Sequence, residues 1–320
     1  MTTTTPRIYV PQRLGTNARS IYPMLAVTSL VSTLLLIMMG AIVRVTGYGL
    51  GCPDWPLCYG QVVPPFQIAP WVEFTHRLLG GLTSLQIVTL AVLAWREFRS
   101  EKWIFRPAVA VVGLLAVQIA LGGLHVIFEI PPATGWVHTG VAMAIVALVA
   151  SQVAVAHPAA QSFSARTADI VRDRGLPVAI ATMAAVTYLL LLTGSFVTRS
   201  GASLVCPSFP NCGVEATSAA MRGLIDIQML HRFTAFGVAL TAVFTLIRLI
   251  RAGRGERSFW AVAAVLSALI VAQFGLGISN VMLRLPMWSR TLHLLVAALL
   301  WTGMVMLWVV VRRGIRLQAV

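Results

Sequence analysis

Eight uninterrupted apolar stretches, each long enough to cross a bilayer, leave this chain few ways to fold. They run Met24–Val43, Leu78–Trp95, Pro107–Ile127, Val137–Ala156, Pro177–Val197, Phe233–Ile250, Phe259–Leu283 and Thr291–Val311. In hydrocarbon every backbone N–H and C=O must be satisfied within the protein, so these stretches are expected as helices and the chain as an all-α integral membrane protein. Composition agrees. Of the 320 residues, 58% are hydrophobic and only 11% charged, against about a quarter charged in soluble domains.

The formal charge of +14 raises the question of nucleic acid. The arginines, however, fall in short clusters between apolar runs, with no basic stripe joined to aromatic stacking residues. They read as topology signals. Arg7, Arg13 and Arg19 precede the first run, and Arg96, Arg99, Lys102 and Arg106 join the second to the third. Arg166, Arg172 and Arg174 join the fourth to the fifth, Arg248, Arg251, Arg254 and Arg257 the sixth to the seventh, and Arg312, Arg313 and Arg316 close the chain. Every second connection is basic, which predicts both termini in the cytoplasm. The first run is longer than a signal-peptide core and lacks a small-residue cleavage site, so it is expected to be retained. With no clear transit peptide, a bacterial plasma membrane is the expected location.

The chain repeats itself. Gly40–Gly60 (GAIVRVTGYGLGCPDWPLCYG) corresponds to Gly194–Gly213 (GSFVTRSGASLVCPSFPNCG), with Cys52, Pro53, Pro56 and Cys58 matching Cys206, Pro207, Pro210 and Cys212 at an offset of 154. At an offset of 155, His76-Arg77 matches His231-Arg232, Gln118 matches Gln273, Gly122 matches Gly277, Pro131 matches Pro286 and His138 matches His293. Each repeat holds four helices, an even number, so both enter the membrane from the same side. The expected architecture is two four-helix bundles related by a pseudo-twofold axis along the membrane normal. The expected divisions are a cytoplasmic segment 1–23, an N-terminal half 24–156, a cytoplasmic linker 157–176, a C-terminal half 177–312 and a tail 313–320.

His76, His138, His231 and His293 are expected in the first turns of the second, fourth, sixth and eighth helices, near the outer leaflet. Ionisable groups at membrane depth are costly and usually functional. In each half, two imidazoles facing each other across the bundle suit the axial positions of a haem, whose macrocycle suits an apolar interior. The alternative for any single one is a helix-end histidine at the water interface. Zinc fits less well, for few Cys, Asp or Glu stand near to complete a tetrahedral site. Arg77 and Arg232, each directly after a histidine, would serve as haem propionate partners or as snorkelling interface residues. His125 aligns with Asn280 and would support the nearby ligands; His157, by the cytoplasmic loop, is given no role.

The halves differ at one telling position. Glu73 stands three residues before His76, on the same helical face, whereas its counterpart before His231 is Gln228, which cannot ionise. A carboxylate beside one pair and an amide beside the other suggests one reactive half and one electron-transfer half, with Glu73 accepting a proton or stabilising a cation. An interfacial carboxylate balancing Arg77 is the competing reading. The four cysteines, Cys52/Cys58 and Cys206/Cys212, lie in outer loops where disulfides are permitted. Two loop staples are the simpler reading, a redox-active Cys52/Cys58 pair the alternative.

These residues resemble the haem A synthase family over nearly the whole chain: the GCPDWPLC loop, Glu73-x-x-His76-Arg77, the LGG…PP…H pattern ending at His138, and LGISNV…LP…LH ending at His293. The resemblance implies oxidation of a methyl group of haem O to the formyl group of haem A through a hydroxylated intermediate. It implies that His76 and His138 hold the substrate haem, that His231 and His293 ligate a haem b cofactor, and that Glu73 is catalytically important. It further implies function for the first cysteine pair, and partners such as the haem O-producing farnesyltransferase and terminal oxidase assembly factors, in a possible homo-oligomer. His125 departs from the family's LGGLTV-like pattern. Two rivals remain: a dihaem electron carrier, which predicts matched chemistry in both halves, and a haem exporter, which needs neither two bis-histidine sites nor a carboxylate beside one.

Overall fold

The computed structural model describes residues 17–317; Arg7, Arg13 and most of the expected segment 1–23 lie outside them, as do residues 318–320. Nine α-helices follow in order: α1 (Asn17–Thr46), α2 (Ile68–Glu97), α3 (Lys102–Ile127), α4 (Pro132–Ala156), α5 (Pro158–Ile170), α6 (Leu176–Arg199), α7 (Ala219–Ala252), α8 (Arg257–Met282) and α9 (Met287–Leu317). All except α5 are long and apolar enough to cross a membrane, which makes this a multi-pass membrane protein.

The first four helices close a ring, α1 on α2, α2 on α3, α3 on α4 and α4 back on α1; α6 to α9 close a second ring in the same order. The rings meet through α4 on α9, α1 on α9 and α4 on α6. Polar side chains tie this seam where the helices come close: Trp301 Nε1 donates to the Met143 carbonyl at 2.8 Å, Tyr188 Oη to that of Gly140 at 3.0 Å, and Trp136 Nε1 to that of Leu192 at 2.9 Å. The outward faces carry bare apolar side chains, Leu240 among them at 74% exposure. In water such a belt would aggregate; in lipid it is the solvated surface.

Two helices start well before their apolar runs. Ile68 opens α2 and Ala219 opens α7, the latter with the Ser218 hydroxyl accepting from Met221 N. His76 is thus the ninth residue of α2 and His231 the thirteenth of α7, deeper than the first turn expected for them. Glu73, Arg77 and Arg232 in these turns are bonded to neighbouring loops, and the helix continues through them. His138 and His293 sit in the second turns of α4 and α9.

Within the expected linker 157–176, α5 is a helix the apolar pattern did not announce. His157, given no role above, caps it: its Nδ1 accepts from Ala159 N at 3.3 Å. Ser164 Oγ then donates to the Val310 carbonyl, seating α5 on α9. At the same end, Arg248 of α7 grips Asp173 through Nε and Nη2 at 2.8 and 2.5 Å. That pair holds the Asp173 carboxyl below the usual aspartate range.

Candidate functional site

Each of the four repeat histidines packs against a glycine of a neighbouring helix. A Cβ placed on Gly40 of α1 would stand 3.1 Å from Cε1 of His76, and one on Gly194 of α6 would stand 2.9 Å from Cε1 of His231. Likewise Gly122 of α3 faces His138 at 3.9 Å and Gly277 of α8 faces His293 at 3.3 Å. Small residues let membrane helices approach closely; here the space so gained holds imidazole rings. The backbone of Leu36 meets the His76 ring and that of its repeat counterpart Leu190 meets His231. Within each half the two rings are near enough to act on each other electrostatically.

Around these rings, buried polar atoms lack partners among the described residues. In the second half they are Gln228 Oε1, Gln273 Oε1, Asn280 Oδ1 and His293 Nδ1; in the first, Gln118 Oε1, His125 Nε2, His76 Nδ1 and His138 Nδ1. Buried polar groups are normally bonded, so this concentration at matched positions marks a place built for something further. His231 and His293 open on one cavity, shared with Gln228, Gln273 and Arg44, with about 1390 Å³ of empty space counting its mouth. Imidazoles from two helices across a mostly apolar cavity suit a flat, apolar, metal-bearing group such as haem.

Glu73 is buried, at 4% exposure. Its Oε2 accepts from Cys52 N at 2.9 Å, and its Oε1 pairs with Arg77 Nε and Nη2 at 3.1 and 2.5 Å. The carboxylate therefore touches both the cysteine loop and the arginine. Arg77 goes on to clasp that loop, donating to the carbonyls of Cys52, Asp54 and Leu57. Arg232 makes the same three bonds in the second half, to Cys206, Ser208 and Asn211, and adds Pro210. Both loops are disulfide-bonded, Cys52–Cys58 and Cys206–Cys212. Each guanidinium is thus turned to its loop, a use the sequence reading did not foresee. His125 lies beside His138, ring centroids 4.8 Å apart.

The cytochrome oxidase assembly protein family COX15-CtaA matches residues 23–70 and 65–305. This chain belongs to that family. Among its relatives, a protein named heme A synthase from Alkalihalophilus pseudofirmus is 26% identical over 291 residues, 90% of this chain and 96% of its own length. Heme A synthase from Shouchella clausii is 28% identical, covering 81% of this chain and 86% of the relative. The protein of that name from Bacillus cereus strain 03BB102 is 29% identical, covering 71% and 73%.

The Cys52–Cys58 loop also holds a carboxylate clasp. Asp54 accepts from the Tyr59 and Gly60 amides at 2.6 and 2.7 Å. The Gly60 bond, ahead of the other causes, keeps the Asp54 carboxyl below the usual aspartate range. A depressed carboxyl contributes order that is complete above the unfolded pKa and lost as pH falls through the folded one. The protection of the Tyr59 and Gly60 amides, taken relative to their intrinsic exchange rates, should therefore hold through the ordinary aspartate range and fall only below it. In Asp54→Asn that acid-dependent step should be absent.

Proposed function

We propose that this chain is a haem A synthase, oxidising a methyl substituent of haem O to the formyl group of haem A. The observation that carries the reading is the pair of glycine-cradled histidine sites at repeat positions, alike in their ligands and unlike at Glu73 and Gln228. The names of the relatives across most of the chain supply the reaction. His76 and His138 hold the haem O substrate; His231 and His293 are the iron ligands of a haem b cofactor.

His231 and His293 would hold the haem b, and that group would supply electron transfer. The remaining work falls to the protein. The apolar walls exclude water and present the substrate ring, the glycines hold the imidazoles in place, and Glu73, one turn before His76, sits anchored to Cys52 N and Arg77. It takes up the proton or steadies the positive charge released as the methyl group is oxidised. The Cys52–Cys58 disulfide, joined to Glu73 through the Cys52 amide, is a candidate redox pair for the same half.

The domain reading goes with this one: halves 24–156 and 177–312 around a pseudo-twofold axis along the membrane normal, joined by 157–176, with both termini cytoplasmic. The matched ring order of the helices supports the axis, and the basic connections support the orientation. A haem O-producing farnesyltransferase and terminal oxidase assembly factors are the natural partners. To test the function, the protein is purified from cells supplied with haem O, and its haems are extracted and identified by chromatography with mass detection. Haem A or its hydroxylated precursor, with haem B, is expected. Haem B alone despite available haem O would favour a dihaem electron carrier.

A further inference from the structure

Three arginines meet where the two halves join, at the disulfide end of the bundle. Arg44 closes α1, Arg199 closes α6 and Arg290 lies in the first turn of α9. Arg44 Nη1 donates to Thr198 Oγ1 across the seam at 3.0 Å, and Arg290 Nη2 donates to the Val45 carbonyl at 3.2 Å. Arg199 lies against α4, where its guanidinium fills the space a side chain on Gly135 would need. The repeat explains the placement: Arg290 corresponds to Gly135, and Val45 to Arg199. Each of two equivalent contacts between halves therefore holds one arginine, both supplied by the C-terminal half, one from its first spanning helix and one from its last.

These charges are not neutralised. None of the three joins an ion pair among the described residues, and Nε of Arg199 and of Arg290 is buried without a partner. Both Arg199 and Arg290 act electrostatically on Arg44. Like charges gathered away from water call for an anion. The histidines lie within their reach. Arg44 acts on His293, in the half it does not belong to, while Arg199 acts on His138 and His125. Arg44 and Arg290 both line the His231/His293 cavity. Arg232 lines that cavity too, but it and Arg77 direct their donors at loop carbonyls.

We infer that the seam arginines are the carboxylate seat for the haems, Arg44 and Arg290 binding the propionates of the haem in the His231/His293 cavity and Arg199 reaching those of the haem beside His138. This rests on the haem reading given above. Guanidinium forks match carboxylates bidentately, and one half lending an arginine to the other's haem would make each site complete only when the halves are joined.

The test uses full-length protein produced in haem-depleted cells and titrated in detergent with haem B or with haem B dimethyl ester, which lacks the carboxylates. Every protein in the comparison carries His138→Ala, which removes the first-half histidine pair, so the low-spin bis-histidine absorption reports the His231/His293 cavity alone. The parent protein should prefer haem B about ten- to a hundredfold, the range expected for charged hydrogen bonds. Arg44→Gln/Arg290→Gln should bring that preference near unity, and each single variant, gentler on folding, should lose part of it. Arg199→Gln should leave the preference in this cavity largely intact.

A preference unchanged in the Arg44 and Arg290 variants, while His293→Ala abolishes the low-spin signal, overturns the seat and leaves the haem reading standing. If those variants instead lose copurifying lipid phosphate, the arginines serve a lipid headgroup and the seat is again overturned. A low-spin signal that survives His293→Ala overturns the haem reading and the seat together.

Discussion

Replacing Glu73 by Gln is expected to cut haem A output at least about a hundredfold, the lower end of what a positioned acid or base contributes, while haem O still copurifies with the protein. The substitution is nearly isosteric and keeps an oxygen for the Cys52 amide, which Glu73 holds at 2.9 Å. It removes the charge and nothing of the volume. Arg77 loses its ion pair but retains its bonds to the Cys52, Asp54 and Leu57 carbonyls, so the loop keeps its clasp. A structural role alone would lower haem O binding and thermal stability along with output. A chemical role leaves bound, unconverted haem O, and the ratio of haem O to haem A in the extract tells the two apart. Normal haem A output from Glu73→Gln would remove Glu73 from the reaction.

Gly194→Ala is expected to weaken haem retention in the second half by roughly 5- to 150-fold, the equivalent of about 1–3 kcal/mol of overpacking. The argument is a contrast within one protein. In a helix, alanine is favoured over glycine by about 1 kcal/mol, so propensity alone predicts that Gly→Ala stabilises at any helical position. At Gly275 of α8 nothing stands within 4 Å of the added Cβ, and that expectation should hold. At Gly194 the methyl would stand 2.9 Å from His231 Cε1. The ring cannot yield freely, because its Nδ1 lies 3.1 Å from Thr193 Oγ1 and the Leu190 backbone meets it too. The ring must move from its ligating position or the helices must part. Haem-to-protein ratio and the low-spin spectrum of the two variants, purified side by side, measure the difference. Equal ratios would mean that the glycine cradle does not set the ligand.

The membrane spans were legible because a bilayer demands long apolar runs and tolerates little else, so all eight run lengths translated into helices. The starts of α2 and α7 were not, since an apolar-run criterion stops at residues such as Glu73, Arg77, Gln228 and Arg232. Those side chains sit in helical turns because they bond or face groups supplied by other segments, which no local pattern displays. α5 escaped for a similar reason: it is polar, and its place depends on Ser164 meeting α9.

The four histidines stood out through the repeat. The matched glycines, Gly40 with Gly194 and Gly122 with Gly277, were visible as coincidences of sequence; their purpose, space for a ring from another helix, needed the packing. The seam arginines were hardest to see. Arg44, Arg199 and Arg290 occupy positions that do not match one another in the repeat, so the repeat search passed over them. Their signal was a charge at the end of an apolar run on the side the basic loops avoid. Only the contact between halves brings them together.

The central claim is that two matched histidine sites do different jobs. The most direct measurement is the haem inventory of His138→Ala and His293→Ala proteins, each purified from cells supplied with haem O. His138→Ala should lose haem O and haem A and retain haem B; His293→Ala should lose haem B and retain haem O, unconverted for want of its electron carrier. If both variants lose the same haems in the same proportion, the halves are not divided into substrate and cofactor sites, and the account fails.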